Sequence, residues 1–110
     1  MSTGVYLAAY LAPLRDWLDR PDVTDIWVNR PGEVWIETTS GATSRVAAPD
    51  LNDQALQRLA RQIAAASHQG VSREQPLLSA SLPDGARVQI IAPPATRGDL
   101  ALAIRKHTLS

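Results

Sequence analysis

An α+β domain, an antiparallel sheet of about six strands with two main helices packed against it, is the fold class this sequence predicts. Three observations lead there. Two segments carry apolar residues at helical spacing, Leu7, Leu11, Leu14 and Leu18 in the first and Leu51, Leu56, Leu59, Ile63 and Ala66 in the second. Short runs of alternating apolar and polar residues, separated by turn-forming residues, follow each helix. The resulting order is helix, three strands, helix, three strands, and it suits helices laid on an antiparallel sheet. The 110 residues and the 45% hydrophobic content match a single domain, spanning 1–110, with one core.

The first helix covers much of Val5 to Asp19, with Tyr10 and Trp17 beside its leucine stripe. Pro13 interrupts it. Proline is tolerated in a first helical turn and not in the interior, so either a short lead segment precedes a helix beginning near Pro13 or the helix kinks there, and Pro21 ends it in both cases. Thr24 to Asn29 and Glu33 to Thr38 then read as a hairpin closed by Asn29, Arg30, Pro31 and Gly32. Pairing Val28 with Val34 and Ile26 with Ile36 gives one apolar face. The same register sets Trp27 opposite Trp35 on the reverse face, alongside Asp25 and Glu37. That tryptophan pair needs a cover, either from this domain or from a neighbouring subunit or domain.

Ser40 and Gly41 turn the chain into a third strand, Ala42 to Ala48. Pro49 and Asp50 then announce the second helix, with Asp50 as its expected N-cap, a course to about Gln69, and Gly70 as its stop. His68 falls in the last turn, where it suits the helix end better than chemistry. The loop Val71 to Pro76 leads into the last three strands.

Pro83, Asp84 and Gly85 form a turn that folds Leu77 to Leu82 back onto Ala86 to Ala92. Placing Leu82 against Ala86 sets Ala80 against Val88 and Leu78 against Ile90 on one face, and Ser81 against Arg87 and Ser79 against Gln89 on the other. The last strand, Leu100 to Arg105, continues the apolar face with Val88 opposite Ile104, Ile90 opposite Leu102 and Ala92 opposite Leu100. Arg87 then falls directly opposite Arg105. Two like charges facing each other destabilise a sheet unless an anion lies between them, and the small residues Ala101, Ala103, Ser79 and Ser81 leave room for one. The alternative is a pair of solvated surface arginines.

Composition excludes several classes of function. Formal net charge is zero and the basic residues are spread along the chain, so direct nucleic-acid binding is not expected. There is no cysteine, and two histidines, His68 and His107, are too few for a histidine metal site. No signal peptide or membrane span is expected, since the N-terminus lacks a basic start and no apolar run approaches about 20 residues. No nucleophile has a nearby base, and the phosphate-loop pattern G-x-x-x-x-G-K-[ST] does not occur, so no catalytic residue is assigned.

Three stretches taken together carry a resemblance. LAPLRDWLDRPDVTDIWVNRPGEVWIE at 11–37, PLLSASLPDGARVQIIAPPA at 76–95 and LALAIRK at 100–106 look like the N-terminal domain of the hexameric traffic ATPases of bacterial type IV secretion and conjugation systems. The resemblance runs over almost the whole chain in the family's order. It implies a parent in which this domain is followed by a RecA-like motor domain, each forming one tier of a homo-hexameric ring at the cytoplasmic side of the inner membrane. It further implies ATP or ADP with Mg between the tiers, and other secretion components as partners. In the family the arginines of the two matching strands contact the nucleotide phosphates, and here they are Arg87 and Arg105. The phosphate loop and acidic boxes belong to the family's second domain. This stretch alone is therefore expected to be inactive and to bind no nucleotide tightly. A different reading treats the domain as an adaptor docking the ring to other components through Trp27 and Trp35. A third, resting on fold analogy alone, is a free-standing small-ligand sensor.

Overall fold

Apolar residues on one side of five short segments, joined by a sixth that contributes only half-buried Val46, produce a six-stranded antiparallel sheet with one buried face. The structure, a computed structural model, describes residues 11–66, 77–81, 85–91 and 100–106. Strands β1 (Val23–Arg30), β2 (Glu33–Thr38), β3 (Thr43–Ala47), β4 (Leu77–Ser81), β5 (Arg87–Ile91) and β6 (Ala101–Arg105) lie in the order β3-β2-β1-β6-β5-β4. The two meanders predicted from the sequence are thus joined edge to edge through β1 and β6. Ile26, Val28, Val34, Ile36, Leu78, Val88, Ile90, Leu102 and Ile104 share the inner face, each at most 3% exposed.

Two helical segments close that face. A 3₁₀ turn at Ala12–Leu14 continues into the short α1 (Arg15–Leu18), and α2 (Asp53–Ala66) follows the first meander. On α2, Leu56, Leu59, Ala60, Ile63 and Ala64 are buried, the spacing of a single helical stripe, and they join Leu11, Leu14 and the strand residues in one core cluster. Pro13 lies in the first turn of the 3₁₀ segment, where a missing N–H breaks no helical bond. Of the two arrangements predicted around Pro13, the one with a helix beginning there describes Ala12 onward; Leu7 and Tyr10 lie outside the described residues. The last strand ties α1 down: Lys106 Nζ donates to the carbonyls of Trp17 (3.4 Å) and Arg20 at its C-terminal end, where a cation is favoured. Arg20 also donates two hydrogen bonds to Asp22 in the turn that follows, and this hydrogen bonding holds the Asp22 carboxyl below its usual range. Among the described residues no helix is long and apolar enough to cross a membrane.

Two local expectations are corrected. The predicted pairing of Val28 with Val34 does not form. Trp27 does pair with Trp35 and Ile26 with Ile36, but Arg30 pairs with Glu33, so Val28 and Asn29 of β1 together face Val34 of β2. The reason is the loop. Pro31 followed by Gly32 at φ +82° is the sequence of a type II turn, whose twist does not match that of paired strands, and one extra residue in β1 absorbs the mismatch. Both valines still reach the core.

The second correction concerns the start of α2. Asp50 is not its N-cap, because Ala48 to Leu51 form a turn closed by the Leu51 N–H on the Ala48 carbonyl at 2.9 Å. Asn52 caps instead. Its Oδ1 accepts from the Ala55 N–H at 2.8 Å, three residues into the helix. The displaced turn packs on the first hairpin: Gly32 N–H donates to the Leu51 carbonyl at 2.8 Å and Ala48 N–H to the Gly32 carbonyl at 2.9 Å. The expected stop at Gly70, the role of His68, the 71–76 loop and the Leu82–Ala86 and Ala92–Leu100 pairings involve residues outside those described.

The cap is directly testable. Asn52→Ala is expected to lower stability by about 0.5–2 kcal/mol, whereas Asp50→Ala changes it by less than about 0.5 kcal/mol. Urea denaturation of the two variants checks the contrast, and an equal loss in both would return the cap to Asp50.

Candidate anion site on the open sheet face

The residues between the buried ones point the other way and form the open face of the sheet. Register places one row of them across all six strands: Thr43, Glu37, Asp25, Arg105, Arg87 and Ser81, each a direct Cα partner of the next. The row is electrostatically ordered. Two carboxylates stand on one side of its centre and two guanidinium groups on the other, so the only opposite charges that meet are Asp25 and Arg105.

Asp25 reaches the open face because β1 is irregular. Val23 and Ile26 are both fully buried although they are three residues apart, which regular alternation forbids. The register shifts between Val23 and Asp25, leaving Thr24 as an extra residue whose hydroxyl donates to the Glu37 carbonyl at 3.2 Å. The parity of the strand changes there. Without that bulge a strand with Val23 inside would direct the Asp25 carboxylate at the core.

Arg105 Nε donates to Asp25 Oδ2 at 3.3 Å. The two side chains are in different surroundings, with Arg105 80% exposed and Asp25 only 15%. Arg87 makes no ion pair with any described residue. A concavity of about 480 Å³ opens between them, bordered by Asp25, Trp27, Ser79, Ser81, Arg87 and Arg105. Its chemistry is that of an anion cradle with one wall of small hydroxyl residues. Among the described residues there is no cluster of three or more His, Cys, Asp or Glu that could hold a metal.

The sequence-predicted residues occupy this face as follows. Arg87 and Arg105 are brought together in the register that apolar matching predicts, with Val88 on Ile104 and Ile90 on Leu102. Ser81 shares their row and Ser79 and Ala103 lie in the next, as predicted, while Ala101 falls two rows away opposite Ile91. Trp27 borders the concavity, and its direct partners are Trp35 on β2 and Ala103 on β6. Trp35 is held within its own meander: its indole N–H donates to Glu33 Oε1 at 3.1 Å, and Arg45 bridges the other oxygen of Glu33 at 2.9 Å. Both tryptophans are half-buried. Asp25 was legible only as an acidic neighbour of the tryptophans, because its contact with Arg105 depends on β1 lying beside β6. Continued alternation of Ile26 and Val28 against Ile104 and Leu102 is the signal that could have found it.

No family model matches the chain. Similar proteins are known. VirB11 of the type IV secretion system of Brucella suis is 45% identical over 102 residues, 92% of this chain and 28% of that protein. PtlH of Bordetella pertussis is 44% identical over 98 residues, covering 88% of this chain and 29% of the relative. VirB11 of Agrobacterium fabrum is 35% identical over 107 residues, covering 96% and 30%. Among solved structures, the crystal structure of the VirB11 ATPase of the Brucella suis type IV secretion system in complex with sulphate has a TM-score of 0.90 and 42% identity, covering 94% of this chain and 32% of that one. The chain spans less than a third of the length of these relatives and matches their N-terminal region.

The charged row predicts unequal effects of removing its two cations from the unliganded chain. Among the described residues Arg87→Ala removes only a like-charge contact, and it is expected to leave stability unchanged or raise it by about 0.2–1 kcal/mol. Arg105→Ala also removes the partner of Asp25 and is expected to lose any such gain. Thermal melts at low and high salt check this, the difference shrinking as salt screens the exposed charges.

Proposed function

We propose that this chain, homologous over most of its length to the N-terminal region of the type IV secretion ATPases VirB11 and PtlH, is the ring-forming and nucleotide-contacting domain of such an ATPase. The observation that carries the reading is the direct pairing of Arg87 with Arg105 on an open, concave face. Two planar guanidinium groups beside small hydroxyl residues suit the phosphates of ATP or ADP, each able to grip two oxygens at once. The sulphate in the Brucella suis structure belongs to that protein, and it is an anion of the same tetrahedral shape as a phosphate. Nucleotide supplies the bond whose hydrolysis powers secretion. In this division of labour Arg87 and Arg105 hold and orient phosphate oxygens. Mg and the hydrolytic groups fall to the motor domain of the parent, because the described residues offer neither a metal cluster nor a phosphate loop.

The partners that follow are the chain's own motor domain, five further copies in a hexameric ring, and other secretion components at the cytoplasmic face of the inner membrane. An adaptor role has one specific observation in its favour. The open face also carries half-buried Trp27 and Trp35, and at its far edge Leu77 is 58% exposed, a large apolar group without cover among the described residues. The two readings differ in which residues of the same face matter.

Alanine at either arginine of the full-length parent is expected to lower nucleotide-dependent activity about ten- to a hundredfold with the fold intact, and lysine is expected to substitute poorly. A double-mutant cycle on ATPase rate and nucleotide affinity tests the shared site. Unchanged activity in both single variants would sink the phosphate role, and losses that merely add would indicate two separate contacts. The 110-residue chain alone is expected to show no turnover and only weak ATP affinity by calorimetry.

For the tryptophans, Trp35→Ala in the parent is expected to weaken ring assembly, followed by light scattering, more than it weakens folding of this domain. Loss of about 3–5 kcal/mol from the domain itself would instead mark the indole as part of the domain's own structure.

A further inference from the structure

The Asp25 carboxylate is held by the fold against one edge of the Arg105 guanidinium, and this placement has a use. We propose that Asp25 is a positioning residue: it holds Arg105 through Nε and so leaves the terminal NH₂ groups available to a phosphate beside Arg87. The inference rests on the anion reading given above and assigns a further residue to that site.

Three observations support it. First, the contact is one-sided. Only Nε of Arg105 is engaged by Asp25, at 3.3 Å, and an arginine has five N–H donors, so Asp25 leaves the forked end, the part suited to phosphate oxygens, unoccupied. Second, the carboxylate is the enclosed partner and the guanidinium the exposed one, with side-chain exposures of 15% and 80%. A long side chain that is four-fifths exposed loses rotamer freedom on binding an anion, and a pre-set hydrogen bond at its base reduces that cost. Third, the bulge at Thr24 is what turns Asp25 outward, directly opposite Arg105. Bulges of this kind commonly re-aim a side chain beside a binding site.

The carboxylate also opposes an incoming anion by its charge. Positioning and repulsion act in opposite senses, and they are separable. Asp25→Asn and Asp25→Ala both remove the charge, but only asparagine keeps an oxygen that can accept from Arg105 Nε–H. The comparison between those two variants therefore isolates the hydrogen bond from the electrostatics.

The test is a titration of the 110-residue chain with sodium pyrophosphate at low ionic strength, followed through the arginine Nε–H resonances. Asp25→Asn is expected to bind pyrophosphate at least as tightly as the unsubstituted chain. Asp25→Ala is expected to bind about three- to tenfold more weakly than Asp25→Asn, and the Arg105 Nε–H resonance is expected to move in Asp25→Ala far more than in Asp25→Asn. In an Arg105→Ala background the difference between the two is expected to vanish. Asp25→Ser, too short to reach Nε, replaces Asp25→Ala if the latter fails to melt cooperatively. Equal affinity in the asparagine and alanine variants, with Arg105→Ala weakened, overturns the positioning role alone. Undiminished binding by Arg105→Ala overturns the anion reading itself, and the positioning role with it.

Discussion

Burial of a single sheet face is the constraint on which the rest of this structure depends. Every strand but β3 offers several apolar residues to that face, and burying one Val, Leu or Ile is worth about 1.5–3 kcal/mol. A slip of one residue in a strand with two such side chains would forfeit roughly 3–6 kcal/mol, a large part of a domain's total stability. Registers such as Val88 on Ile104 and Leu78 on Ile90 are thereby set from the inside. The open face inherits them. Arg87 stands opposite Arg105 because their neighbours Val88 and Ile104 must meet in the core.

That inheritance explains how two guanidinium groups persist side by side. The arrangement is unfavourable taken alone, and the same register supplies its relief: Asp25 is the next residue in the row and pairs with Arg105. The row from Glu37 to Arg87 has no net charge, so the sheet tolerates it without ligand. An anion is thus not required by the fold. In the proposed phosphate site, Arg105 would then answer to both Asp25 and a phosphate, and Arg87 to the phosphate, while among the described residues only Arg105 has an ionic partner in the fold.

The irregular parts of the chain serve the same platform. The bulge at Thr24 redirects Asp25, and the one before Arg30 lets the Pro31–Gly32 turn close the first hairpin. Glu33 then joins Trp35 to Arg45 across β2 and β3, and Lys106 anchors α1 to the end of the strand that carries Arg105. The arginine pair sits on β5 and β6, and the opposite face of those strands carries the buried Val88, Ile90, Leu102 and Ile104. Such a support suits a binding face that must hold its geometry.

What the sequence determined by itself is what short-range pattern encodes. The α+β class, the strands of both meanders and the facing of Arg87 with Arg105 follow from alternation and turn chemistry within stretches of a few tens of residues. The resemblance of residues 11–37, 76–95 and 100–106 to secretion ATPases also lies in local motifs. Only the tertiary structure decided that β1 lies beside β6, which brings Asp25 to Arg105 from 80 residues away. No local pattern states that adjacency, because any two edge strands with alternating faces satisfy it. The bulges were hidden for a related reason: an extra residue appears in the sequence as ordinary strand, and its effect on parity is visible only once Val23 and Ile26 are both found in the core. Asn52 displaced Asp50 as the helix cap in the same way, since both are good capping residues and the choice fell to the turn that docks Ala48 and Leu51 against Gly32.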